Sequence, residues 1–249
     1  GSGASGFLDG GFDDAQFSRP QGMEISADGR RLYVADRENH SIRAIDLESK
    51  LVSTIAGTGE PTNRFTSGFG VQTALASPWD LLAIEDRLFI AGAGRHQIWD
   101  LELESGWLSL FAGSGREGIE DGARLLATLA QPSALTSDGQ NIYFADSESS
   151  AVRKIGLGKE GNVETLVGTG LFAWGDEIGD LDMTQLQHPV GLELLGDTIY
   201  VADTYNHRIK SINLTNGESR YVAGSGKPGL MDGYGTISEM NEPSGLSAA

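Results

Sequence analysis

The sequence predicts an all-β protein of repeated four-stranded units, the blades of a β-propeller, because three marker series recur along it in one register. The first is a proline that follows a polar residue and opens an apolar run, at Pro20, Pro78, Pro132, Pro189 and Pro243, with spacings of 58, 54, 57 and 54 residues. The second is YVAD ending at Asp36, IAG at Gly92, YFAD at Asp146 and YVAD at Asp203. The third closes each unit: IAGTG with Gly57, FAGSG with Gly113, LVGTG with Gly168 and VAGSG with Gly224. A single unit of this kind cannot bury its apolar face alone, so neighbouring units must stack.

Within the first unit, QGMEIS from Gln21, RLYVAD from Arg31, SIRAIDL from Ser41 and LVSTIAG from Leu51 alternate in polarity and are rich in β-branched and aromatic residues. Each reads as a strand. Asp28-Gly29 and Asp138-Gly139 read as type I′ turns joining the first strand to the second. Residues 1–249 therefore form one propeller domain, with blades at 17–59, 72–115, 125–170 and 183–226. Residues 1–16 read as the end of a preceding blade and its connector, and 238–249 as the start of a further one. About four complete blades leave a ring unclosed, and its open edges call for further blades or a second copy.

The connectors repeat as G-x-x-G-x-x-D-G at Gly3–Gly10, Gly115–Gly122 and Gly226–Gly233. Their aspartates, Asp9, Asp121 and Asp232, read as Asx turns. One carboxylate per loop is too few for calcium, which takes roughly six to eight oxygens. Two connectors depart from the pattern, RFTSGFG around Phe65 and LFAWGDEIGD around Trp174, and these are expected to be the partner-specific loops.

Composition narrows the function classes. A net charge of −17, from 35 acidic and 18 basic residues, opposes the clustered basic surface that nucleic acid and anionic lipid require. No apolar run approaches the roughly 18 residues of a membrane span. With no cysteine, the chain holds no disulfide, thiolate nucleophile or Cys-ligated zinc. GSGASGFLDGG at the start lacks the basic and apolar regions of a signal peptide, so no targeting signal is read and the compartment stays open.

YVADRENHSIRAID from Tyr33, YVADTYNHRIKSI from Tyr200 and YFADSESSAVRKI from Tyr143 resemble the NHL repeat, an apolar-Ala-Asp run followed by Asn-His and a basic strand. SPWDLLAIEDRLFIAGAGRHQIWDLE, from Ser77, is similar to the proteins that join a thioredoxin-like domain to an NHL propeller. The resemblance implies a six-bladed ring with roughly two blades outside this chain. It also implies a redox domain elsewhere, so any thiol-disulfide activity belongs to no residue here.

Asp36, Asp146 and Asp203 are each followed seven residues on by a base, Arg43, Arg153 or Lys210. In the second unit both positions change together, to Gly92 and Trp99. That joint change predicts a carboxylate and a cation facing each other across a hairpin, or an aspartate capping the turn with its charge met by the base. His40, His96 and His207 share a position four residues after the marker, on separate hairpins, and read as turn-packing residues with no shared metal. The residues before the prolines, Arg19, Ser77, Gln131, His188 and Glu242, together with Trp79 and Asp80, read as a polar set at the channel mouth and the candidate binding site.

No phosphate loop, nucleophile elbow or metal-binding helix motif appears, and no catalytic residue or cofactor is assigned. The chain reads as a non-catalytic interaction scaffold for a protein partner or for further blades of its own protein. The alternative, implied by other six-bladed propellers, is a metal-dependent lyase or lactone hydrolase using His188, Glu242 and Asp80.

Overall fold

A computed structural model describes residues 1–62, 66–159 and 161–248; Phe65 lies outside them. Among the described residues the regular structure is β-strand with single turns of 3₁₀ helix, and no helix is long and apolar enough to cross a membrane. The chain divides into two compact units, Gly1–Gly115 and Arg116–Ala249, each holding two blades.

In the first unit, one antiparallel sheet runs in the order β1-β5-β4-β3-β2, from β1 (Gly10–Gly11), β2 (Pro20–Ile25), β3 (Arg31–Asp36), β4 (Ser41–Asp46) and β5 (Leu51–Ala56). The next repeats it as β6-β10-β9-β8-β7, from β6 (Gly68–Phe69), β7 (Pro78–Ile84), β8 (Arg87–Gly92), β9 (Gln97–Glu102) and β10 (Trp107–Ala112). The second unit has β11-β15-β14-β13-β12, from β11 (Gly122–Ala123), β12 (Pro132–Ser137), β13 (Asn141–Asp146), β14 (Ala151–Gly156) and β15 (Asn162–Val167). Its other sheet is β16-β17-β18-β19, from β16 (Gly191–Leu195), β17 (Thr198–Asp203), β18 (Arg208–Asn213) and β19 (Ser219–Ala223). These are four blades of four antiparallel strands, and in three of them the incoming connector adds a two-residue strand beside the last. The fold class is an all-β propeller of about four complete blades.

Strand alternation explains the packing. Tyr33, Ala35, Ile42 and Ala44 of the first blade share one buried cluster with Leu81, Leu88, Ile90 and Trp99 of the second. In the other unit Tyr143, Ala145 and Val152 join Leu192, Ile199, Val201 and Ile212. Polar links stitch the facing strands: the Glu24 carboxylate accepts the Ala83 N–H at 3.0 Å, and the Thr136 hydroxyl accepts that of Leu194 at 3.2 Å. Close approach has a steric condition, since a Cβ on Gly22 would stand 2.6 Å from the Asp80 Cα, so a side chain there would force β2 off β7.

The hairpin turns differ from the type I′ expectation, which needs positive φ at both central residues. Gly29 (φ +69°) and Gly139 (φ +81°) have it, while Asp28 and Asp138 do not. Each aspartate accepts the amides ahead of it instead. Asp28 takes the Arg30 N–H at 3.0 Å and the Ser26 hydroxyl at 2.6 Å; Asp138 takes the Gln140 and Asn141 N–H groups at 2.8 and 2.6 Å. Those bonds keep the aspartates at negative φ and leave the left-handed step to glycine alone.

Candidate functional site

The recurring charges are built into the blades. In the first, Asp36 at the end of β3 and Arg43 on β4 are fully buried and joined at 2.8 Å, and the other Asp36 oxygen accepts the Ser18 N–H at 2.7 Å. In the third, Asp146 and Arg153 are joined at 2.8 Å with the Ala130 N–H at 2.7 Å; in the fourth, Asp203 and Lys210 at 2.7 Å with the Gln187 N–H at 2.6 Å. Each aspartate thus holds both the base across the hairpin and the backbone entering its blade.

Two of the connector aspartates, Asp9 and Asp121, are held across the blade instead of within an Asx turn. Asp9 accepts from the Arg43 guanidinium at 2.6 Å and from the Thr54 N–H and hydroxyl, both at 3.0 Å. Asp121 repeats this with Arg153 at 2.9 Å and Thr165 at 2.9 Å. Each of these carboxylates thus bridges the base on the third long strand to the threonine on the fourth. In the departing connector Asp176 takes the role, 2.9 Å from Lys210 and 2.8 Å from Arg208, whereas Asp232 is exposed. The second blade replaces its pair with an apolar filling: Trp99 is 4% exposed, and its ring lies 3.4 Å from the Cβ position of Gly92.

His40, His96 and His207 occupy left-handed positions after a single 3₁₀ turn, as does Ser150 in the third blade. His40, Ser150 and His207 reach a neighbour. His40 Nδ1 accepts the Ser77 N–H at 3.0 Å, the Ser150 hydroxyl accepts that of His188 at 3.2 Å, and His207 Nδ1 accepts that of Glu242 at 3.2 Å. A ring nitrogen that accepts from an amide must be unprotonated, with the proton on Nε2. Among the described residues no group of three His, Asp or Glu side chains is arranged to hold a metal.

The residues before the prolines all stand at positive φ: Arg19 +50°, Ser77 +43°, Gln131 +64°, His188 +49° and Glu242 +48°. Such backbone is uncommon outside glycine and persists only where surroundings enforce it. At Ser77, His188 and Glu242 the amide bonds just described do so. In the first unit, Trp79 carries the Arg37 guanidinium over its ring at 5.0 Å, and Asp80 lies against Gly22. In the second, Gln131 and His188 converge on Glu148, at 3.1 and 4.0 Å, and the imidazole stacks on Tyr205 with centroids 4.6 Å apart and planes at 9°. Burial holds the His188 pKa below the ordinary 6.5, against the opposing pull of Glu148.

The NHL repeat family matches residues 17–45 and 186–210, the segments that carry the Asp36–Arg43 and Asp203–Lys210 pairs. The chain is built of NHL repeats. It is 39% identical to the protein SUPPRESSOR OF QUENCHING 1, chloroplastic, of Arabidopsis thaliana, over 99% of this chain and 24% of that protein. It is also 39% identical to NHL repeat-containing protein 2 of Homo sapiens, over 97% of this chain and 37% of that protein. The chain therefore spans well under half of either relative. Among solved structures it is similar to an auxiliary nutrient binding protein from Bacteroides ovatus, with TM-score 0.57 and 14% identity, covering 99% of this chain and 68% of that one; this likeness is one of fold.

Glu148, Tyr205 and Asp176 of these NHL blades escaped the sequence reading. Glu148 and Tyr205 share a repeat position, two residues after the marker aspartate, and that shared offset was the available signal. The His188 environment makes a testable prediction. Its depressed folded pKa means that stability from the neutral ring is complete above the unfolded value near 6.5 and is lost as pH falls toward the folded one. The imidazole C2–H resonance that disappears in H188Q is expected to titrate with a midpoint below 6.5; a midpoint at or above it would refute the burial argument.

Proposed function

We propose that this NHL chain is a non-catalytic protein-interaction module, and that it forms the propeller part of a longer protein of the thioredoxin-like/NHL kind. The observation that carries the reading is how the blades spend their charges. Asp36, Arg43, Asp146, Arg153, Asp203 and Lys210 are all fully buried and paired, so the signature groups hold blades together. The departing connector turns two aromatics outward, Phe172, 73% exposed with φ +61°, and Trp174, 64% exposed, beside the exposed acids Glu177 and Asp180. Large aromatics left in solvent on a loop that breaks the repeat favour recognition of another protein. The net charge of −17 directs that recognition away from nucleic acid.

The test compares the intact chain with F172S/W174S by quantitative co-purification from cells of its source. The expected result is a protein recovered in near-stoichiometric amount with the intact chain and depleted with the variant, whose exposed substitutions leave stability within about 0.5 kcal/mol. Equal recovery of every co-purifying protein by the two chains would reject the connector as the contact.

A further inference from the structure

The seam between the first two blades holds two cavities of about 460 and 290 Å³ that share Arg31, Tyr33 and Leu103 in their walls. We propose that this seam is a binding groove for a basic peptide segment with an apolar anchor, presented by a partner protein; it rests on the interaction-module reading and gives that module a site and a ligand chemistry.

The groove contains an unspent donor. Tyr33 is 3% exposed, its side chain borders both cavities, and its hydroxyl has no hydrogen-bond partner among the described residues. The equivalent tyrosine of the third blade shows how the repeat otherwise satisfies this group. Tyr143 donates to Asp138 at 2.9 Å, and burial together with that carboxylate pushes its pKa up to about 12. In the first blade Asp28 holds the matching position, but it takes the Ser26 hydroxyl and the Arg30 amide, and the Tyr33 O–H is left to the cavity. That hydroxyl is not sealed from solvent, so a ligand carbonyl entering the groove would take it over from water.

The rest of the wall selects the ligand. Leu101 and Leu103 form an apolar floor. The rim carries Glu48 and Glu85 on the larger cavity and Glu104 on the smaller, all exposed and with no ion pair or hydrogen bond to their carboxylates among the described residues. Arg30 and Arg31 in the wall of the larger cavity are balanced by Asp28 and Asp46, whose carboxylates feel their charge. The free charge of the rim is therefore negative. A leucine-like side chain fits the floor, a lysine or arginine faces the rim, and a main-chain carbonyl meets Tyr33. A second copy is disfavoured, since each chain carries a net charge of −17 and two copies repel.

The experiment pans a phage-displayed dodecapeptide library against the intact chain and measures the top synthetic peptide by fluorescence anisotropy. The expected sequences combine Lys or Arg with Leu, Ile or Phe. Their affinity is expected to fall roughly tenfold or more in E48K/E85K/E104K, where exposed rim charges are reversed, and about fivefold in Y33F, which removes one hydrogen bond. Both variants should melt within a few degrees of the parent. F172S/W174S should bind the peptide unchanged. Acidic consensus sequences, no enrichment, or affinity indifferent to the rim reversal would overturn the groove. Binding lost only in F172S/W174S would also reject it, while leaving the interaction-module reading intact.

Discussion

Arg153→Ala is expected to destabilise the chain by about 3–5 kcal/mol, the range for removing one partner of a buried ion pair. Both Arg153 and Asp146 are 0% exposed, and the guanidinium also donates to the Thr128 carbonyl at 2.7 Å and to Asp121 at 2.9 Å. Its loss would leave the Asp146 carboxylate, already pushed up by burial, without the charge that opposes that shift. Thermal melts should fall by roughly 10 °C, given about 2–4 °C per kcal/mol for a chain of this size. The second blade supplies the control. Gly92 and Trp99 hold the same two positions without any charge, so D146G/R153W should recover part of the loss even though the Ala130 amide forfeits its acceptor. A drop of less than about 1 kcal/mol for Arg153→Ala would mean that the pair is incidental.

Trp99→Ala is expected to cost about 3–5 kcal/mol, the range for emptying a buried aromatic site. The indole packs in the cluster that joins the first two blades, and no aspartate-arginine pair lies beneath it to take up the space. Trp99→Phe keeps most of the volume and should cost clearly less than the alanine change. Guanidinium-chloride unfolding curves that rank Trp99→Phe level with Trp99→Ala would show that volume at this site is not what holds the seam.

How much was legible follows from distance along the chain. Asp36 and Arg43 lie seven residues apart on adjacent strands, and one hairpin brings them together, so the joint change to Gly92 and Trp99 was enough to pair them. Asp9 and Thr54 are 45 residues apart. Nothing in the glycine-rich connector shows that its carboxylate crosses to the outermost strand, and a local Asx turn was the reading nearest to hand. The Asp28-Gly29 pair was recognised as a turn, but its type depended on where the aspartate's acceptor atoms found amides.

The candidate residues before the prolines divide in the same way. Their shared position was visible as a repeat feature, yet their left-handed backbone was not, because at Ser77, His188 and Glu242 it is held by His40, Ser150 and His207 of the preceding blades. Gln131 and His188 converge only because Glu148 and Tyr205 stand at matching points of neighbouring blades. Tyr33 and Tyr143 are interchangeable in the motif, and one is satisfied while the other faces a cavity.

By itself the sequence determined the strand content, the blade period, the absence of thiol chemistry and the short-range charge pairs, since each depends on residues that one strand or one hairpin brings together. Only the tertiary structure decided which carboxylate bridges which blade, where left-handed backbone is held, and which tyrosine keeps a free hydroxyl. Those outcomes depend on which donors come within reach of which acceptor once the strands and connectors are in place.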